Sequence, residues 1–182
     1  MIANDPITSE RLLYRPFRME DLEPYVAFCN EPSRRRWFYF QEPHCLEASF
    51  WKKGIENNIA AWSQKINLLT ETAGCDLAIV LKETNQLIGS ISLSKFHGPE
   101  EELDHVEIGY HLGEAYQGKG YATEAAIAFV EWGLAQLREL GTEPKIVGKA
   151  EHENGPSRRV LEKAGFHFTH AEQYVSVYEI TG

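Results

Sequence analysis

Apolar residues recur along the chain in two periods, near two for strands and near 3.6 for helices, and the two kinds of segment follow one another. Residues 11–17 (RLLYRPF) read as a first strand that Pro16 ends. Met19, Glu20 and Asp21 then open a helix to about residue 30, with acidic side chains at its positive end. Leu46, Phe50, Ile59, Trp62 and Ile66 keep near-helical spacing, so residues 46–66 predict a long amphipathic helix. Gly54 weakens it, and the stripe reads as core. Residues 75–81 (CDLAIVL) and 86–96 (QLIGSISLSKF) predict two strands with a turn at Thr84 and Asn85. Residues 105–112 (HVEIGYHL) predict a third. A helix over 121–140 buries Ala125, Ala126, Phe129, Trp132 and Leu137 and stops at Gly141. Residues 145–150 form a short strand. Asn154 and Pro156 open a last helix that ends near Gly165, and residues 167–180 read as a closing hairpin.

No repeat, linker or low-complexity segment interrupts this order, so residues 1–182 predict a single domain large enough for a substantial core. Composition changes the picture little: 43% hydrophobic and 25% charged residues suit a soluble globular protein. Charge changes it more. A net charge of −9 argues against binding nucleic-acid phosphates and suits a cationic substrate. Cys29, Cys45 and Cys75 are odd in number and form no C-x-x-C pair, so no zinc site, metal or disulfide framework is expected. No stretch has the length of a signal-peptide core or a membrane span, which predicts a cytoplasmic protein with no membrane partner. A monomer or a homodimer fits equally.

The chemistry concentrates at residues 116–124, YQGKGYATE. Gly118 and Gly120 flank Lys119 between a predicted strand and a predicted helix. Unpaired N–H groups at a helix start carry about half a positive charge and suit a phosphate. Three motifs compete for the stretch. The nucleoside-triphosphate loop matches at Gly113, Gly118 and Lys119, but Gly120 stands where a magnesium-holding hydroxyl belongs. The dinucleotide fingerprint matches at Gly118 and Gly120, but Thr123 replaces its third glycine. The pattern [QR]-x-x-G-x-[GA] matches without exception at Gln117, Gly120 and Ala122. In this it resembles the acyl-CoA pyrophosphate loop of the GNAT acetyltransferase superfamily.

Three further blocks carry the same resemblance. Ser9, Arg11, Leu12, Arg15, Pro16 and Asp21 resemble the opening of the ribosomal-protein N-terminal (RimJ/RimL-like) branch. Gly89 and the E-I-G-Y run at residues 107–110 resemble its central strands. Asn154, Ser157, Leu161, Gly165 and Phe166 resemble its last helix. The resemblance implies an α/β (α+β) fold: a mixed, mostly antiparallel central sheet of about six or seven strands flanked by helices. Two parallel strands, at residues 105–112 and 145–150, would splay to admit the pantetheine arm of CoA.

The implied activity is N-acetyl transfer from acetyl-CoA to a primary amine, a protein N-terminus or a small amine, by direct attack in a ternary complex. Backbone N–H groups of Gly118, Lys119, Gly120, Ala122 and Thr123 would bind pyrophosphate, and backbone groups of Ile108 and Tyr110 would bind pantetheine. Asn154 reads as a helix cap and pantetheine contact. Ser157 is the candidate proton donor to the thiolate, or a capping hydroxyl. Glu107 is the first candidate base and His105 the second, sharing one strand face; either could instead be merely exposed. No His or Asn partner is recognisable for a cysteine nucleophile. Residues 32–41 read as a solvated helix with an aromatic plug, or as part of a substrate mouth. An antibiotic or polyamine acetyltransferase, a noncatalytic acyl-CoA-binding module and a nucleotide-binding protein are the alternatives.

Overall fold

The computed structural model describes residues 7–37, 47–63, 75–96 and 105–182. Among these residues eight strands form one sheet: β1 (Ile7–Thr8), β2 (Leu12–Arg15), β3 (Cys75–Leu81), β4 (Gln86–Phe96), β5 (His105–Leu112), β6 (Lys145–Glu151), β7 (His167–Ala171) and β8 (Val175–Thr181). Their order is β1-β2-β3-β4-β5-β6-β8-β7. Among the described residues β5–β6 is the one parallel pair; the other neighbours run antiparallel. The strand beyond the expected six or seven is β1. It pairs only Ile7 with Tyr14 and Thr8 with Leu13, too short a segment to show alternation in sequence.

Among the described residues five α-helices accompany the sheet: α1 (Leu22–Cys29), α2 (Pro32–Trp37), α3 (Ala48–Ser63), α4 (Tyr121–Glu139) and α5 (Gly155–Lys163). The predicted start at Met19 is a 3-10 turn over Met19–Asp21 that leads into α1. Asp21 is the cause. Its carboxylate accepts Arg15 Nη1 at 2.7 Å, Arg15 Nη2 at 2.8 Å and the Arg18 N–H at 2.7 Å, which tightens the entry. Pro24 falls in the first turn of α1, where its missing N–H costs no hydrogen bond.

Alternation along the strands divides the core. Val106, Ile108 and Leu112 of β5 join Leu77, Ile79, Ile91 and Leu93 under Ala125, Ala126, Phe129 and Leu137 of α4. The opposite face carries Ala78, Val80 and Leu87, covered by Phe17 and by Ile55 of α3. Within α3 the sequence stripe is only partly core. Ile55 is buried, whereas Phe50 is 39% exposed; Leu46 and Ile66 lie outside the described residues. Among the described residues no helix is long and apolar enough to cross a membrane.

Candidate active site

The site begins where the one parallel pair stops. β5 and β6 pair at Val106–Ile146, Glu107–Val147 and Ile108–Gly148, yet β5 runs on to Leu112 and β6 to Glu151. The direction of the unpaired groups follows from register. Gly113 N–H donates to Ile88 O at 3.0 Å, and the β4–β5 register is unbroken from Gly89–Leu112 to Phe96–His105. Residues of an antiparallel strand alternate in the side to which their N–H and C=O point. Leu112, Tyr110 and Ile108 therefore turn their polar groups toward β6. The Leu112 carbonyl accepts Gln117 Nε2 at 2.9 Å, and Ile108 lies at the last β6 pair. The Tyr110 N–H and C=O face the gap. An extended, amide-containing arm fits there as an added strand.

The glycine turn closes one end of that gap. Gly118 has φ +73° and Gly120 φ +82°, the left-handed region that a Cβ penalises. Gly120 is the N-cap of α4 and no side chain caps the helix, so its first N–H groups point outward. The turn is held from behind. Glu124 accepts Ser9 Oγ and the Arg11 N–H, each at 2.7 Å, and Arg11 Nε at 2.6 Å. Arg11 Nη1 donates to the Lys119 carbonyl at 3.1 Å, and its guanidinium lies 4.4 Å from the Tyr121 ring centre. Burial pushes the Glu124 carboxyl up, but the hydrogen bonds from Arg11 and Ser9 outweigh it and hold it below the ordinary range.

α5 forms the other wall. It seats on β6 at Gly148, where a Cβ would meet Leu161 Cδ2 at 2.5 Å. Asn154 Oδ1 accepts the Ser157 N–H at 3.1 Å, which caps α5. The Ser157 hydroxyl is left for other work. It lies 2.8 Å from the Tyr110 hydroxyl, which is also 3.0 Å from the Ser157 carbonyl. Burial pushes the Tyr110 phenol up to about 12, so it keeps its proton at neutral pH. This hydroxyl pair was not legible in sequence. Its members are 47 residues apart, and the only signal was the position of Tyr110 on the α5 side of β5.

A cleft of about 400 Å3 joins these parts. Of the predicted cofactor contacts it is lined by Tyr110, Gln117, Gly118, Gly120, Ala122, Thr123, Asn154 and Ser157. Ile108 lies beneath it in the core, and the Lys119 ammonium sits 5.8 Å from the Tyr116 ring centre. The two candidate bases stand apart. His105 Nε2 and Glu107 Oε2 are 3.6 Å apart, and neither residue lines this cleft. Burial raises the Glu107 pKa against the pull of Lys149 and His105. Gly109, the next residue on that strand face, is about 7 Å further along.

A second cavity, of about 690 Å3, opens on the opposite side of the sheet between α3 and strands β3–β5. It shares Arg34, Tyr110 and His111 with the cleft. Arg34, in the segment read as a solvated helix or as part of a substrate mouth, lies between the two spaces. It is buried at 8% exposure, donates from Nη1 to Cys29 Sγ, and lies against the rings of Tyr25 and Trp51. Trp37 lines the cleft, whereas residues 38–41 lie outside the described residues. His111 is 7% exposed, and burial with help from Arg34 lowers it to about 3, so it is neutral at physiological pH. Sequence reasoning also missed Asp76, which lines the cavity floor. Cys29 and Cys75 are buried, with thiols pushed up by burial, to about 12 for Cys29. Cys45 lies outside the described residues.

Comparison with known proteins agrees with this geometry. The family described as "Acetyltransferase (GNAT) domain" matches residues 11–167. Bacillus subtilis YjcK, described as a probable N-acetyltransferase, is 39% identical over 167 residues, covering 88% of this chain and 83% of YjcK. An Agrobacterium tumefaciens acetyltransferase structure is 27% identical, covers 100% of this chain and 97% of its own, and superposes with a TM-score of 0.69. Mycobacterium smegmatis RimJ, solved with CoA-disulfide, shares the fold at 19% identity, with a TM-score of 0.75 over 97% of this chain and 87% of RimJ. The chain, with its split parallel pair and glycine turn, is a member of the GNAT acetyltransferase family, an N-acetyltransferase by its relatives.

Proposed function

We propose that the protein transfers an acetyl group from acetyl-CoA to a primary amine, by direct attack within a ternary complex. The observation that carries this reading is the coincidence in one cleft of a backbone phosphate cradle, an open strand edge and a paired hydroxyl. The Gly118–Thr123 backbone would hold the pyrophosphate and Tyr110 the pantetheine amides. Both supports are fixed before ligand arrives, which lowers the ordering cost of binding.

The amine approaches from the second cavity, because Tyr110, His111 and Arg34 border both spaces. It must first lose a proton. For an α-amine with pKa about 7.7–8.0 this costs about 1 kcal/mol at pH 7, and for a lysine-like amine about 4.6 kcal/mol. Glu107 takes that proton through water, its burial-raised pKa keeping it a better acceptor than an exposed carboxylate. The nitrogen lone pair forms the N–C bond, and the C–S bond breaks with its electron pair on sulfur. Ser157, backed by Tyr110, then protonates the thiolate. The nitrogen gives up its second proton as the amide forms, and that proton returns to Ser157 through water and the Tyr110 hydroxyl, leaving neutral CoA thiol and a restored serine. The acceptor is a protein N-terminus or a small amine.

Calorimetric titration with acetyl-CoA, CoA and ATP tests the cleft, and thiol release with a panel of peptide and small amines tests turnover. Tight acetyl-CoA binding with CoA released only when an amine is present is expected. Binding without turnover on any amine would make the protein an acyl-CoA-binding module. ATP binding in preference to acetyl-CoA would overturn the reading.

A further inference from the structure

The second cavity has two electrical poles. Arg34 sits at the end that meets the CoA cleft, and Asp76 sits on the floor away from it. Strand register fixes the spacing. Asp76 pairs with Ser92 and Ser92 with Gly109, so Asp76 is two strands from β5 on the face that carries His111. Two strand spacings are about 10 Å. α3 fixes the floor, because Asn58 Nδ2 and Trp62 Nε1 donate to the Asp76 carbonyl at 2.9 and 3.1 Å. The walls between the poles include the aromatic rings of Tyr25, Phe50 and Trp51.

Resting on the acetyl-transfer reading, we propose that this cavity is the acceptor site and that Asp76 binds a second positively charged group of the acceptor, apart from the amine that reacts. The distances require a second group. The reacting nitrogen must come within about 3–3.5 Å of the thioester carbon, beyond β5. A cation held by Asp76 is then left roughly 5–8 Å from that nitrogen, the reach of a short diamine or of a peptide α-amine followed by a lysine. The other charges in the cavity agree with this polarity. Arg34 stands at the reacting end, where a positive neighbour favours the neutral, nucleophilic form of an amine, as it does for His111. Glu47 and Lys53, both on or beside α3, are exposed and oppose one another in sign. Asp76 is the acidic group on the sheet floor, and it is open to the cavity rather than sealed in the core, so an incoming cation can reach it.

Matched acceptors isolate the second charge: 1,4-diaminobutane against butylamine, and Ala-Lys amide against Ala-norleucine amide. Wild type is expected to favour the member with the second charge in at least one pair by tenfold or more in kcat/KM. Asp76→Asn is expected to erase that preference through a raised KM for that member. Its kcat/KM for the singly charged member and its calorimetric affinity for acetyl-CoA should stay within twofold of wild type, a split that a merely misfolded variant would not give. Asp76→Glu should keep the preference in part. Equal wild-type rates within both pairs, turnover confined to amines outside them, or a preference that survives Asp76→Asn would each overturn the proposal. Failure of wild type to bind acetyl-CoA or to acetylate any amine would instead overturn the acetyl-transfer reading beneath it.

Discussion

Ser157 does two jobs with separate atoms, and this makes its role measurable. Its N–H is spent on Asn154, while its hydroxyl meets Tyr110 at 2.8 Å. Ser157→Ala removes only the hydroxyl. If that hydroxyl protonates the thiolate, kcat should fall by about 100-fold, the low end for a positioned acid because Tyr110 remains. Acetyl-CoA affinity should hardly change. A kcat within threefold of wild type would leave Ser157 as part of the cap alone. Glu107 is tested by pH. Glu107→Gln should depress kcat/KM most below neutrality, where the amine is protonated, and should approach wild type near pH 9 for an α-amine acceptor. For a lysine-like acceptor the loss should persist at pH 9. Superimposable profiles from pH 6 to 9 would remove Glu107 from the reaction.

At the scale of elements, the glycine turn and α4 act as one anion-binding unit. Gly120 supplies both the left-handed residue and the N-cap, and the place of its missing Cβ is 3.5 Å from Arg11 Nη2. Gly120→Asp would put a Cβ into a strained conformation and a carboxylate where pyrophosphate must approach. Calorimetry should show at least a 100-fold loss of acetyl-CoA affinity, about 2.8 kcal/mol. Wild-type affinity in a folded variant would mean that the pyrophosphate does not bind this turn. α3 behaves differently from its sequence pattern because its apolar side chains serve two surfaces. Ile55 enters the core beside Ala78 and Val80, while Phe50 and Trp51 wall a cavity.

At the scale of the molecule, Glu124 ties the edge of the sheet to the start of α4 across 113 residues of chain. Its folded-state pKa lies below the ordinary 4.5. The tie therefore contributes stability that is fully present above about pH 4.5 and is lost as pH falls through the folded value. Glu124→Gln keeps the size and removes the charge. It should destabilise the fold by roughly 1–3 kcal/mol at pH 7 in denaturant melts. The difference from wild type should shrink below pH 4.5, as wild type also loses its charge. A gap that stays constant from pH 7 to pH 3 would show that the ion pair adds nothing.

Local information settled much of this protein. Alternation predicts the long strands, the spacing of Ala125, Ala126, Phe129 and Leu137 predicts α4, and the motif around Gly118 and Gly120 marks the turn between them. Each is legible because its cause lies within a few residues: a side-chain period, a cap or a positive φ. What the chain alone left undecided was every juxtaposition across the sheet. The Tyr110–Ser157 pair, the Arg11–Glu124 tie and the shared wall of Arg34 and His111 each join distant residues. Asp76 reads in sequence as one polar residue at the start of an apolar strand. Only the pairing of β3 with β4 and of β4 with β5 sets it two strands from the split. Register depends on which strands meet, and burial of both sheet faces under helices, not any local residue choice, decides that.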